Sequence, residues 1–335
     1  MSSDAAAPAI RPFRPRFPWI GADLQTLRNT LRPAAPEPPG DARLLLSLRD
    51  GDRLAARLDR PRVRVHGPLI VLIHGLTGSE ASATVRTTAR VLLRCGWNVL
   101  RLNLCGSTPS RPTAAGFYHA GKTQDLADAL RSLPEDLTQD GIMLVGHSLG
   151  GNLALKFMGE SGAHSPVRAA VAVSAPLDLA ATCHQMLRPR NLIYQRHMLV
   201  AMKQEALAPG AALDDAEREA IVSARSIYDF DDRFIAPRFG FRDAGDYYAE
   251  NSSGRFLAGI RRPTLILHAA DDPWIPADCY RAVPWSRLPA IKAILSSGGG
   301  HLGFHERGDA APWHDRTTAA WLAAKAAGAP AGQKK

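Results

Sequence analysis

Two kinds of hydrophobic pattern alternate along this chain. Short solid apolar runs, such as PLIVLIH at 68–74, suit strands buried on both faces of a sheet. Longer stretches carry apolar residues at helical spacing. The two kinds follow one another in regular order: helix-like 81–95 and strand-like 97–103, helix-like 122–132 and strand-like 141–146, helix-like 149–160 and strand-like 168–174. This order predicts right-handed crossovers, a mostly parallel sheet and flanking helices. Upstream, 42–48 and 53–59 flank Asp50-Gly51-Asp52 and predict a hairpin. Between 177 and 258 the rhythm stops. That stretch is largely helix-like and rich in aromatic residues, and reads as a helical cap inserted over one end of the sheet. Strands resume at 263–269 and 290–297, before a last helix at 313–327. Residues 1–40, rich in Pro, Ala and Arg, read as an arm rather than a core element, and 328–335 as a frayed tail. The expectation is one α/β domain over 41–327.

Composition narrows the class. At 335 residues, 45% hydrophobic and 22% charged, the chain has material for a sizeable core, and disorder is excluded as its main state. No run approaches the roughly 18–20 apolar residues that span a bilayer. The first twenty residues, broken by Pro and Arg, lack an apolar leader core, so the cytoplasm is the expected compartment. Cys95, Cys105, Cys183 and Cys279 have no CxxC spacing, which speaks against a disulfide framework or a zinc knuckle. The net charge of +9 comes from dispersed arginines with no nucleic-acid motif beside them. Nucleic acid is therefore not an expected partner, and the charge is compatible at most with weak contact to anionic lipid.

The candidate chemistry centres on Gly146-His147-Ser148-Leu149-Gly150, a G-x-S-x-G pentapeptide. Alone the pattern is weak. Here it follows an apolar run and opens a helix-like stretch, the strand–elbow–helix setting that a nucleophilic serine requires. Such an elbow strains the serine backbone, admits only small residues two positions away, and points the following N–H at a developing oxyanion. A serine nucleophile needs a base, and the base an orienting acid, in the order Ser, Asp or Glu, His on this kind of sheet. His301, after the strand at 290–297 and among Gly298, Gly299 and Gly300, is the leading base; His305 is the alternative. Asp272 leads as the acid on its spacing to Pro276, with Asp271 and Asp178 as alternatives. The oxyanion donors are expected to be the N–H groups of Leu76, in the loop His74-Gly75-Leu76-Thr77-Gly78, and Leu149. No HExxH spacing is present, and no metal or other cofactor is expected.

These segments together resemble the YheT-like branch of the α/β-hydrolases, over about residues 16–322. The resemblance rests on PWIGADLQTL, IHGLTGS at 73–79, NLCGS at 103–107, YHAGKTQDL at 118–126 and GHSLGGN at 146–152. SAPLDL at 174–179, FDDRFIAPRFGF at 230–241, DDPWIP at 271–276 and GGGHLGF at 298–304 complete the series. The resemblance implies a Ser148–Asp272–His301 triad and hydrolysis of carboxylic esters, with short-chain esters or acylglycerol-like lipids as substrates. It assigns no role to Tyr118, His119, Asp231 or Asp232, for which packing, capping or pairing with arginines is the expectation. An acyltransferase or thioesterase with the same triad, and a binding protein on a hydrolase scaffold, are the competing readings.

Overall fold

The computed structural model describes residues 10–32 and 35–327; the tail expected at 328–335 lies outside them. The solid apolar runs become the centre of an eight-stranded sheet. The strands are β1 (Ala42–Ser47), β2 (Arg53–Asp59), β3 (Leu69–Ile73), β4 (Val99–Leu102), β5 (Ile142–His147), β6 (Val167–Val173), β7 (Thr264–Ala269) and β8 (Ile291–Ser296). Their order across the sheet is β1-β2-β4-β3-β5-β6-β7-β8. The hairpin joins antiparallel, β2 meets β4 antiparallel, and all later pairings are parallel. Every residue of β3, β4, β5 and β7 is buried. That two-sided burial explains why these strands are continuous apolar runs rather than alternating ones.

Helices cover both faces. They are α1 (Ala22–Leu31), α2 (Ala83–Arg94), α3 (Thr123–Arg131), α4 (Leu149–Ser161), α5 (Leu179–Met186), α6 (Leu192–Ala206), α7 (Asp215–Ser223), α8 (Ala244–Asn251) and α9 (Trp313–Ala327). Among the described residues no strand lies between β6 and β7; the chain there is built from α5 to α8 and short helical turns. This helical stretch has its own apolar cluster, including Met186, Met202, Ile221, Phe230, Phe234 and Tyr247. It is tied to the sheet's central helix by Asn152, whose amide donates to the carbonyls of Ala120 and Asn251 (both 2.9 Å) and accepts from the N–H of Ser253 (2.9 Å).

The N-terminal segment is more than an arm. Phe13 is buried against Phe304 and Trp313, and α1 buries Gln25 and Thr26. The expectation of a segment outside the core fails there because its Pro-broken pattern hides two polar side chains that bond loop backbone, a use that hydrophobic periodicity does not register.

Candidate active site

Three loops at the carboxyl ends of parallel strands converge here, where open α/β sheets build sites. Ser148 leaves β5 with φ 51° and ψ −119°, the strained left-handed turn expected of an elbow. The glycines around it are sterically required. A Cβ at Gly146 would sit 2.2 Å from the carbonyl oxygen of Gly150, and one at Gly150 would sit 2.4 Å from that of His74. Both obstacles are backbone and cannot swing away.

The structure brings His301 to the serine and Asp272 to His301. His301 Nε2 lies 3.0 Å from Ser148 Oγ, and His301 Nδ1 lies 2.9 Å from Asp272 Oδ2. The other oxygen of Asp272 accepts from the N–H groups of Trp274 (2.9 Å) and Ile275 (3.1 Å). Burial alone would raise the Asp272 carboxyl, but the charge and hydrogen bond of His301 hold it below the ordinary range. His268 Nδ1, 3.9 Å from Asp272 Oδ2, is pushed down to about 4 by burial and stays neutral, so it does not compete for that charge. Trp274 stacks on the His301 ring, centroids 4.2 Å apart, and restricts its swing.

The alternatives are placed elsewhere. Asp271 Oδ1 accepts the N–H of Gly300 (2.9 Å) and so shapes the histidine loop. Asp178 caps α5 by accepting from the N–H of Ala181 (2.9 Å). His305 is buried, held down at about 3 first by burial and then by neighbouring Arg28, and its backbone is clamped by Gln25.

Residues of α1 were missed as contributors to the site. The hydroxyl of Thr26 accepts the backbone N–H of His301 (2.8 Å) and donates to Ala22 (2.8 Å). The Gln25 amide bonds both the N–H (2.7 Å) and the carbonyl (3.1 Å) of His305. The loop that carries His301 is therefore pinned by the N-terminal helix. The one signal for this was the segment PWIGADLQTL, which contains both residues.

The loop after β3 abuts Ser148, since a Cβ at Gly75 would lie 3.1 Å from Ser148 Cβ. Its start is set by His74, which is kept neutral at about 4 chiefly by burial. Nε2 of His74 accepts the N–H of Leu104 (3.1 Å), leaving Nδ1 to donate to the Gly75 carbonyl (2.7 Å). Its far side is set by Tyr118, whose oxygen accepts the N–H of Thr77 (2.8 Å) while its O–H donates to Glu205 (2.7 Å). Thr77 itself sits at φ 54°. Neither the Leu76 nor the Leu149 N–H has an acceptor among the described residues, and both residues border the cavity beside Ser148. Tyr118→Phe should orphan the Thr77 N–H and loosen this loop. We expect kcat about tenfold lower with KM within about twofold, read from steady-state kinetics on a soluble ester.

A cavity of about 430 Å³ opens from Ser148 beneath the helical stretch. Its wall is mainly apolar, including Phe117, Met186, Met198, Met202, Phe230 and Ile235. Two acids also face it, buried Asp231 and half-buried Glu205. Burial raises both Glu205 and Asp231 to about 7. Asp231 accepts from Tyr248 (2.7 Å), and Asp232 accepts from the N–H of Ala244 at the start of α8 (2.9 Å). Neither aspartate pairs with an arginine among the described residues. An aspartate whose folded value is raised binds its proton more tightly when folded. Stability therefore falls as pH rises from the unfolded value near 3.8 to about 7 and is flat beyond. Asp231→Asn keeps the acceptor for Tyr248 and removes that loss. Thermal melts should show the variant more stable by about 2–4 kcal/mol at pH 8, the difference vanishing toward pH 4.

One group of metal-capable side chains lies close by among the described residues: His147, His314 and Asp315, with donor atoms within 4.8 Å of one another. None of the three lines the cavity, and the Thr88 hydroxyl bonds both His147 (3.1 Å) and Asp315.

Comparison with known proteins places the fold in a family. The family model described as alpha/beta hydrolase fold matches residues 68–308. The Escherichia coli protein named "Putative esterase YheT" is 35% identical over 265 residues, covering 77% of this chain and 77% of that protein. Mouse phospholipase ABHD3 is 27% identical over 71% of this chain and 59% of its own length. Among solved structures, the Pyrococcus furiosus esterase Pf2001 superposes with a TM-score of 0.58 over 87% of this chain and 97% of that one; at 14% identity the likeness is one of fold. No helix among the described residues is long and apolar enough to cross a membrane. The chain belongs to the α/β-hydrolase fold family, in the branch that includes YheT, and is an esterase- and lipase-like hydrolase.

Proposed function

We propose that this protein hydrolyses carboxylic esters, either short-chain esters or acylglycerol-like lipids, by two-step acyl transfer at Ser148. His301 Nε2 takes the hydroxyl proton as Oγ attacks the ester carbonyl, and the carbonyl π-electrons move to oxygen. The N–H groups of Leu76 and Leu149 stabilise that oxyanion, and Asp272 steadies the imidazolium. As the tetrahedral adduct collapses, the C–O bond to the alcohol breaks and His301 returns the proton to the leaving oxygen. Water, deprotonated by His301, then attacks the acyl-enzyme, and Ser148 recovers its proton as the carboxylic acid leaves. The hydrogen-bonded chain Ser148–His301–Asp272 at a serine with positive φ carries this reading.

The helical stretch over 177–258 acts as a cap on one catalytic domain, its methionines and aromatic residues receiving the acyl chain. Four free cysteines suit a reducing compartment, consistent with a cytoplasmic protein. A fluorophosphonate probe tests the nucleophile: the intact chain should gain one adduct at Ser148, and no adduct there would sink the enzyme reading. p-Nitrophenyl esters of rising chain length, run beside thioesters and added acyl acceptors, separate an esterase from a thioesterase or acyltransferase. Turnover confined to thioesters, or product found only on the acceptor, overturns ester hydrolysis.

A further inference from the structure

Helix α6 carries apolar side chains on both sides, those on the outer side set among exposed Arg196 and His197. Its inner side walls the cavity through Met198, Met202 and Ala206. Its outer side carries Ile193 and Val200, seven residues apart and so on one stripe, 82% and 54% exposed. Helix α1 repeats the arrangement. Thr26 and Asn29 face the cavity, whereas Leu24 and Leu31 are exposed on the stripe opposite, preceded by exposed Ile20 and by Phe17, 81% exposed. The two helices are joined through Asp23, which accepts from Arg190 (3.0 Å) and from Tyr194 (2.9 Å). The exposed apolar side chains thus belong to one rim, shared by the two elements that border the cavity. Single exposed apolar residues are ordinary; a cluster of them around a cavity marks a contact surface.

Charge identifies what that surface meets. Residues 11–32 and 187–200 hold eight arginines and one acid, Asp23, a net +7 out of the whole chain's +9. These two stretches make up about a tenth of the chain. All the arginines but Arg28 are exposed. Arg28 and Arg32 lie over the Trp19 ring, each 5.8 Å from its centroid, which holds part of the charge at the rim. Exposed apolar side chains interspersed with arginines suit a layer that is negative outside and apolar a few ångströms deeper.

We propose that this rim docks on an anionic lipid surface, with Phe17 and Ile193 entering the acyl boundary and the arginines meeting the headgroups. The cavity then opens toward lipid rather than water. The value of such docking rests on the ester-lipid reading of the site, but docking itself is measured separately.

The test is co-sedimentation of the full chain with phosphatidylcholine vesicles and with mixed phosphatidylcholine–phosphatidylglycerol vesicles. Binding is expected to the mixed vesicles and to be reversed by salt. Each arginine near an anionic surface accounts for about fivefold in binding, so the double variant Arg188→Gln, Arg196→Gln should bind about 25-fold more weakly. Phe17→Ser with Ile193→Ser should weaken binding by at least about tenfold. Both variants should keep wild-type fluorophosphonate labelling of Ser148, which shows that they are folded. Equal binding to both vesicle types, or variants that bind like wild type, overturns the proposal. So does a wild type that labels at Ser148 yet stays in the supernatant. If light scattering then shows a dimer that Phe17→Ser, Ile193→Ser disperses, the rim is a protein interface instead. Wild type that docks but takes no adduct keeps the docking surface and removes the hydrolase reading.

Discussion

Ser148→Ala is expected to lower kcat for a soluble p-nitrophenyl ester by about 10⁶-fold, with the melting temperature within about 2 °C of wild type. The size follows from the division of labour at the site. Without Oγ there is no acyl-enzyme, and His301 has no proton to take. The cavity and the two free N–H groups remain, so a small residual rate over water persists. Stability is unaffected because alanine has the same Cβ, and the φ of 51° is imposed by the elbow whichever residue stands there. The fold also does not rest on the 3.0 Å contact from Oγ to His301. Steady-state kinetics and a thermal melt of the same preparation decide the matter. A variant that keeps a tenth of the activity would remove Ser148 from the mechanism.

Asp272→Asn should cost about 10⁴-fold in kcat, again with the fold intact. Three hydrogen bonds orient this side chain: two backbone N–H groups on one oxygen and His301 Nδ1 on the other. In the variant the amide oxygen stays with the backbone donors, and the NH₂ is turned toward His301. Nδ1 must then accept, the ring proton moves to Nε2, and Nε2 can no longer take the proton of Ser148. The wild-type carboxylate also contributes to stability. Its folded value lies below its unfolded one, so that contribution is present above the unfolded value and lost as pH falls through the folded value. Asp272→Asn should therefore show a shallower loss of melting temperature in acid than wild type, measured on the same pH series. Activity within tenfold of wild type would shift the orienting role to Asp271.

The way this site is built explains how much of it was readable beforehand. The elbow is a local device. A solid apolar run, two glycines at fixed offsets and a helix start are all encoded within a dozen residues, and Ser148 at φ 51° follows from them. The succession of strands along the chain was readable for the same reason, because two-sided burial writes a nearly continuous apolar run for each central strand; their order across the sheet was not. Neighbouring acids are harder. Asp271 and Asp272 have nearly the same local setting, yet one bonds the Gly300 N–H and the other His301 Nδ1. That choice depends on how the loops after β7 and β8 approach each other.

Long-range polar contacts left almost no trace in the pattern. Arg101 sits in the strand read at 97–103 and is fully buried, held by both oxygens of Asp59 and by Glu37. Periodicity registers only that the strand is buried, not which acid from another strand will neutralise it. Thr26 and Gln25 are similar. Both come from a segment read as an arm, and both grip the loop that carries His301 across more than 270 residues of sequence.

By itself, then, the sequence determined the α/β class, the strand runs, the serine elbow, and the order in which acid and base follow it. Those features depend on backbone conformation and burial over short windows, which residue type and spacing control directly. Only the tertiary structure decided which aspartate meets His301, that α1 pins the histidine loop, that Tyr118 holds the loop after β3, and that a cavity lies under the helical stretch. These are matters of register and approach between elements distant in sequence: Ser148 and His301 are 153 residues apart and meet at 3.0 Å.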